Sequence, residues 1–336
     1  VGSEMCIRDS SETALKKLAI VTIHNINRYN NKYLSQHNSN IITVNIYAII
    51  LHMHLQYDNK DIISLYSIYN NHKTRETYMF KNLYEAPQEL ATGGYVTREL
   101  HSVTVHFDDI HYSLSSGQLN GGYHHTLAVR NQQLTYQIET EKDLPGGSVA
   151  DYLAQEFEHI DTPVHFSTAL LTSATMHLHA YAKVEEHDTI VETIVTAGYE
   201  KTAHRAGTGY CYEERDGDFI VPGTINILVF TNKALTDSAM VKAIMTITEA
   251  KTAALQDWNV ENVRLHPFIN EDIPDAITKE RKTSATGTST DGIILTIDTN
   301  GDILTDAGSF SLFGDTLAKA VYVGVQRALE NAIGAE

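Results

Sequence analysis

The sequence predicts an α+β (or α/β) fold, a single domain in which helices pack on one mixed β-sheet. Two long helical patterns carry this prediction, one near residues 236–258 and one near residues 313–333. The third observation is a set of short runs rich in β-branched residues, which are typical of strands. Strand and helix patterns are intermixed along the chain, so we expect one sheet with helices packed on it.

The elements follow in chain order. Residues 99–116 alternate well enough for two strands or one bent strand, and LNGGYHHTLAVRNQQL predicts a turn and then a strand. GGSVADYLAQEFEHI predicts a helix with Ser148 as its N-cap. Further strands are predicted in TPVHFSTALLTSA, in DTIVETIVTAG and, most clearly, in the apolar residues 222–232. The last predicted strand, 293–298, precedes the turn DTNGD.

Residues 1–78 differ in composition from the remainder of the chain. They are rich in Asn, Tyr, Ile and His, Gly2 is their only glycine, and they contain no proline. A folded segment of this length normally needs such turn residues. The first ten residues, VGSEMCIRDS, resemble a translated adaptor leader. We expect 1–78 to be a non-native or disordered leader, the alternative being a helical or strand extension, and 79–336 to form the functional domain.

Composition narrows the classes of function. The 336 residues are 42% apolar and 20% charged, a balance typical of soluble globular proteins. The net charge of -17 disfavours nucleic acid as a partner, because an acidic surface repels phosphate. Cys6 and Cys211 form no CxxC and no disulfide framework, which fits a reducing cytoplasm. The most apolar window, residues 41–51, is shorter than the roughly 20 residues of a membrane span, so we expect no membrane partner.

The helix predicted near 236–258 places a cation within an apolar stripe. At about 100° per residue, Lys251 falls inside the stripe, whereas Glu249 falls on the opposite arc. A lysine in such a stripe is costly unless it is paired or its stem snorkels. Lys251 is therefore either a structural residue or a buried ammonium aimed at a substrate oxygen or a catalytic carboxylate.

Three other stretches concentrate polar and glycine residues. In LNGGY, Asn120 marks either a hairpin turn or a place of close backbone approach. Asn226 is enclosed by isoleucines, so its amide either bonds to a neighbouring turn or orients a substrate amide. ATGTSTDG, residues 285–292, lacks the lysine of a phosphate-binding P-loop and by itself indicates a polar turn.

The 17 histidines form no recognisable metal pattern. His101, His106 and His111 recur every five residues, which places alternate ones on opposite faces of a strand. His177 and His179 would share one face of a strand, and neither spacing matches a common zinc site. The sequence also lacks a G-x-S-x-G elbow and a Walker loop. We expect no metal bound by the protein.

Several stretches occur together in a fixed order: SSGQLNGGY, VTAGYEKTAHRAG, PGTINILVFTNKALTDSAMVKAIMTITEAKTAAL, ATGTSTDGIIL and FGDTLAKAVYVGVQRALE. Across residues 97–329 the sequence resembles the adenosylcobinamide amidohydrolase family. The resemblance implies that the 79–336 domain hydrolyses the amide joining aminopropanol to the corrin ring of adenosylcobinamide. The products would be adenosylcobyric acid and 1-amino-2-propanol, in cobamide salvage. It implies a small-molecule corrinoid substrate and no cofactor, since cobalt enters only as part of that substrate.

The resemblance also implies a set of functional residues. We expect three catalytic residues, Glu249, Lys251 and Asp291. The expected substrate-binding residues are Asn120, Gly121, Gly122, Thr224, Asn226, Thr286, Gly287, Thr288 and Thr290. Gly198 and Gly223 recur in the family as well, whereas the bulky, basic segment after Gly198 departs from the expected pattern and leaves the substrate range open.

Amide hydrolysis needs a nucleophile, stabilisation of the oxyanion and a proton for the leaving amine. Our first hypothesis is a water activated by Asp291 or Glu249, with Lys251 pairing with the carboxylate or steadying the oxyanion. Backbone N–H groups of residues 286–290, with Asn226 or Asn120, would complete the oxyanion site.

Two kinds of alternative stay open. In the mechanism, a threonine nucleophile (Thr286, Thr288 or Thr290) activated by Lys251 would replace the water. In function, the chain would be a corrinoid-binding module without hydrolysis, or an amidase for a different amide.

Overall fold

The computed structural model describes residues 87–136, 138, 140–199, 202–207, 224–261 and 284–333. The predicted leader, both cysteines and Gly223 lie outside the described residues. One predicted element extends beyond the described ranges as well, since the strand predicted for 222–232 is described only from Thr224.

The described residues form a mixed, curled sheet with three α-helices, which confirms the predicted α+β single domain. The elements in chain order are β1 (Gln88–Glu89), β2 (Tyr95–Glu99), β3 (Ser102–Ser115), β4 (Gly122–Gln133), α1 (Val149–Glu158), β5 (Ser167–Thr172), β6 (Ala180–Glu186), β7 (Thr189–Ala197), β8 (Ile225–Thr231), β9 (Ala234–Leu235), α2 (Asp237–Asp257), β10 (Gly292–Ile297), β11 (Ile303–Leu304) and α3 (Leu312–Ile333).

The sheet runs in the order β1-β2-β3-β10-β8-β7-β6, while β4 pairs with β3 and with β5. β10 is parallel to β8 and antiparallel to β3, so it joins the two halves of the sheet. β3 is one bent strand, the second of the two alternatives, because its register with β4 shifts between His106 and His111. β9 and β11 form a separate parallel pair.

The strands at the centre bury both of their faces. Ile225, Ile227 and Val229 of β8 pack in one core cluster with the apolar stripes of α2 and α3. Leu228 and Phe230 face the other way, into a second cluster inside the curl of the sheet. Since successive strand residues alternate between faces, Asn226 lies on the inner face with these two.

The helix predictions agree with the structure. The side chain of Thr236 caps α2 by accepting from the N–H of Ala239, and Ser148 caps α1 by accepting from the N–H of Asp151. Side-chain acceptors of this kind satisfy the free N–H groups of a first turn. Among the described residues, no helix has the length and apolar character needed to cross a bilayer.

One strand prediction is wrong. His177 and His179 do not share a strand face, because Met176–Leu178 is a 3-10 turn that His179 follows. The strand begins one residue later, at Ala180, as β6 on the edge of the sheet. Three of its seven residues are charged and its apolar residues are the small Ala180, Ala182 and Val184, so the local pattern is too weak to identify it.

Candidate active site

The centre of the candidate site is an ion pair between Lys251 of α2 and Asp291, the residue before β10. The Nζ atom of Lys251 donates to Oδ2 of Asp291, and the two side chains are 8% and 13% exposed. Lys251 lies on the apolar stripe of α2, under the end of the sheet at which the parallel strands β8 and β10 begin. A buried ammonium is tolerated here because the carboxylate neutralises it.

Asp291 is held by the loop in front of it. Its carboxylate accepts from the backbone N–H of Thr288, with both oxygens 3.1 Å from the nitrogen. It also accepts from the Thr288 hydroxyl through Oδ1, and from the N–H of Ile225 at 3.1 Å. The half-buried Thr288 is therefore joined through Asp291 to Lys251, which gives an ordered series of hydroxyl, carboxylate and ammonium.

The 286–288 backbone is docked onto the segment 202–207. The N–H of His204 donates to the carbonyl of Gly287 at 2.8 Å, while the N–H groups of Thr286 and Gly287 donate to the carbonyl of His204 at 3.0 and 3.2 Å. The Thr286 hydroxyl accepts from the N–H of Ala206 at 2.9 Å. Thr252 of α2 completes the clamp by donating to the Thr286 carbonyl at 3.2 Å.

Gly287 lies against the ion pair itself. A Cβ atom at this position would stand 2.3 Å from Oδ2 of Asp291 and 2.8 Å from Nζ of Lys251. Neither distance is sterically tolerable, so a glycine is what allows the loop to approach the buried pair.

Thr224 and Asn226 connect the site to the interior of the sheet. The Thr224 hydroxyl donates to the carbonyl of Thr290, which fixes the far side of the loop. The Asn226 amide, 1% exposed, donates to Oδ1 of Asn131 at 2.8 Å and to the carbonyl of Leu171 at 3.1 Å. Of the two readings left open for Asn226, the geometry supports bonding to neighbouring protein groups.

The Asn120–Gly121–Gly122 stretch is a tight turn before β4. Asn120 has a φ of 49°, and its amide donates to the carbonyls of Val164 and Ser167 at 2.9 and 2.8 Å. A Cβ on Gly121 would meet the Gly117 carbonyl oxygen at 2.2 Å, so the turn needs a residue without a side chain there. This turn lies one strand away from Asp291, since Gly122 pairs with Ser115 of β3 and β3 pairs with β10.

Glu249 is the predicted site residue that the structure does not bring to the pair. It is exposed, and two helical steps of about 100° place it on the side of α2 opposite Lys251. The helical spacing in the sequence also placed it on the opposite arc, which leaves Asp291 as the candidate base.

Most of the predicted oxyanion donors are committed elsewhere, which narrows our hypothesis. The N–H groups of Thr286 and Gly287 bond to His204, and that of Thr288 bonds to Asp291. Both amide hydrogens of Asn226, and both of Asn120, are likewise donated to protein oxygens. These bonds account for the N–H groups of residues 286–288, so a donor for the oxyanion must come from residues 289–290 or from another group.

Sequence reasoning missed the groups that hold the loop. His204 and Ala206 belong to the TAHRAG stretch that we associated only with substrate range, and Thr252 is one residue beyond Lys251. No local pattern marks them, because each acts through its partner in the 284–291 loop. In the described part of the chain, no group of three or more His, Cys, Asp and Glu is placed to hold a metal ion.

Two comparisons relate the chain to known proteins. The family model described as adenosylcobinamide amidohydrolase matches residues 87–267 and 268–336. The uncharacterized protein MJ1613 of Methanocaldococcus jannaschii is 35% identical over 191 residues, which cover 53% of this chain and 69% of that protein. The ion pair, its loop and the turn at Asn120 all lie within the matched ranges.

Proposed function

Because the chain belongs to the adenosylcobinamide amidohydrolase family, we propose that it hydrolyses the amide joining aminopropanol to the corrin ring of adenosylcobinamide. The products are adenosylcobyric acid and 1-amino-2-propanol, a reaction of corrinoid salvage in the cytoplasm. Cobalt enters only with the corrinoid, and the protein uses no cofactor. The observation that carries the proposal is the hydrogen-bonded series Thr288–Asp291–Lys251, at the end of the sheet where β8 and β10 begin.

Thr288 is the nucleophile in this proposal. Its hydroxyl donates to Asp291, whereas the Thr286 hydroxyl accepts from Ala206. A nucleophile hydrogen-bonded to a base that a third group orients is the arrangement that activates a hydroxyl. Lys251 supplies that third group, since it holds the second carboxylate oxygen.

The reaction then follows in two steps. The Thr288 oxygen attacks the amide carbon while its proton passes to Asp291, and the carbonyl electron pair moves onto oxygen. The C–N bond breaks as the amine takes up that proton, which leaves an ester on Thr288 and frees 1-amino-2-propanol. A water deprotonated by Asp291 hydrolyses the ester, releases adenosylcobyric acid and returns the proton to Thr288.

The test is chromatography of adenosylcobinamide after incubation with the full chain and with Thr288→Val and Thr288→Ser. We expect the wild type to release 1-amino-2-propanol, the valine variant to lose turnover at least about 1,000-fold, and the serine variant to keep a measurable rate. Thr248→Val is the matched control, because Thr248 is an exposed threonine on α2 that bonds only to its own helix at Ile244.

Three other outcomes each reject a defined part of the proposal. Corrinoid returned intact, with a change in its visible spectrum on mixing, would indicate a binding module without hydrolysis. No spectral change and no product would point to a different amide. Full turnover by Thr288→Val would return the nucleophile to a water activated by Asp291.

A further inference from the structure

The transition state of the proposed reaction carries a negative oxygen that needs a hydrogen-bond donor. The donors that the loop would ordinarily offer are its backbone N–H groups, and those of Thr286, Gly287 and Thr288 are all used inside the protein. Nucleophile loops of other amidases often employ such N–H groups for this purpose. The oxyanion therefore needs a donor other than these three N–H groups.

Two buried side-chain polar atoms among the described residues have no hydrogen-bond partner: Nε2 of His111 and Oγ of Ser289. His111 lies beside Tyr112, which pairs with Ile297 at the far end of β10 from the ion pair. Ser289 directly follows Thr288, in the loop that holds Asp291. Of these two atoms, only the Ser289 hydroxyl is at the candidate site.

The backbone on both sides of the unpaired Ser289 hydroxyl is held by hydrogen bonds. On one side of Ser289, both the N–H and the hydroxyl of Thr288 are bonded to Asp291. On the other side, the carbonyl of Thr290 accepts from the buried Thr224 hydroxyl. With its neighbours fixed, Ser289 keeps a buried O–H that has no acceptor among the described residues. Buried polar groups are nearly always paired, so an unpaired one in a site calls for a ligand.

We propose that the Ser289 hydroxyl donates to the carbonyl oxygen of the scissile amide and stabilises the oxyanion that forms when Thr288 attacks. This assignment rests on the function proposed above. Ser289 transfers no proton: its O–H stays intact while the carbonyl oxygen gains the electron pair. Because hydrogen bonds hold Thr288 and Thr290 on either side of it, Ser289 is in place before the substrate arrives, which is the condition under which such a donor accelerates a reaction most.

The experiment compares Ser289→Ala with Ser115→Ala in turnover, substrate affinity and melting temperature. Ser115 is a buried serine whose hydroxyl is engaged on both sides: it accepts from the N–H of Gly117 at 3.0 Å and shares a hydrogen bond of 2.9 Å with the Thr168 hydroxyl. Ser115→Ala should melt several degrees lower, because it loses these bonds. Ser289→Ala should melt at or above the wild-type temperature, because it removes a group that the folded chain leaves unpaired.

Removal of one oxyanion donor should lower kcat of Ser289→Ala about 100- to 1,000-fold, with the affinity for adenosylcobinamide, read from its visible spectrum, within about threefold of wild type. Ser289→Cys, which keeps a weaker donor of similar shape, should fall between serine and alanine.

Two results would overturn the role of Ser289. One is an undiminished kcat for Ser289→Ala in a protein whose wild type is active. The other is a melting temperature lowered as much as that of Ser115→Ala, since the hydroxyl would then have a structural partner. A wild type that neither binds nor cleaves adenosylcobinamide would instead overturn the proposed function, and the stability comparison separates the two failures.

Discussion

Asp291→Asn replaces one oxygen of the central carboxylate by an amide NH2 group. It tests whether Asp291 both stabilises the fold and acts as the catalytic base. Asparagine keeps an acceptor, so Oδ1 can still receive the N–H groups of Ile225 and Thr288. The substitution removes the negative charge opposite Lys251, whose side chain is 8% exposed.

The size of the stability effect follows from that burial. Removing one partner of a buried ion pair leaves the other charge uncompensated and costs about 3–5 kcal/mol in free energy of unfolding. For a domain of this size, the melting temperature should fall by about 6–20 °C. Turnover should fall about 100- to 10,000-fold, because the variant lacks the base for Thr288.

A double-mutant cycle with Lys251→Met separates the two effects. Methionine fills the volume of the lysine stem without a charge, so the double variant no longer buries an unpaired ammonium. We expect urea unfolding to show that the double variant loses at least about 2 kcal/mol less free energy of unfolding than the sum of the two single losses. Its turnover should stay no higher than that of Asp291→Asn. Additive stability losses, or wild-type turnover in Asp291→Asn, would refute the assigned role of the pair.

Three further predictions concern other parts of the structure. Gly287→Ala would place a Cβ 2.3 Å from Asp291, so turnover should fall at least about tenfold, as measured by release of aminopropanol. Asn226→Leu should destabilise the protein by about 2–4 kcal/mol in urea unfolding, since it leaves Asn131 and a backbone carbonyl without donors. Burial lowers the pKa of His106 below 6.5, so protonation favours the unfolded chain. The stability contribution of neutral His106 is complete above pH 6.5 and is lost as the pH falls from there towards its folded-state pKa. His106→Gln should flatten that decline, and an unchanged slope between pH 5 and 7 would contradict it.

The elements that local rules specify were predicted from the sequence. The helix predicted for 236–258 is α2, Asp237–Asp257, because its cap at Thr236 and its apolar stripe are both encoded within one segment. β6 was missed for the opposite reason. It is a strand because β7 pairs with it along its whole length, whereas its own alternation rests on three small residues, Ala180, Ala182 and Val184, and is too weak to identify it.

The candidate site was likewise predictable only where a local pattern in the sequence marks a residue. Lys251 stood out because a cation in an apolar stripe needs an explanation, and Asp291 because it ends a polar loop before a strand. Their pairing, the bond from Thr288 and the docking on His204 join segments distant in sequence, so no local pattern contains them. Asn226 was correctly expected to be buried, yet its bond to Asn131 depends on the curl of the sheet.

The central claim is that this chain cleaves the corrinoid amide with water as the final acyl acceptor. The most direct measurement is mass spectrometry of the products after the full chain has been incubated with adenosylcobinamide in ¹⁸O-labelled water. The account predicts free 1-amino-2-propanol and adenosylcobyric acid that carries one ¹⁸O atom in its new carboxylate. Adenosylcobinamide recovered intact, or an acid product without the label, would contradict it.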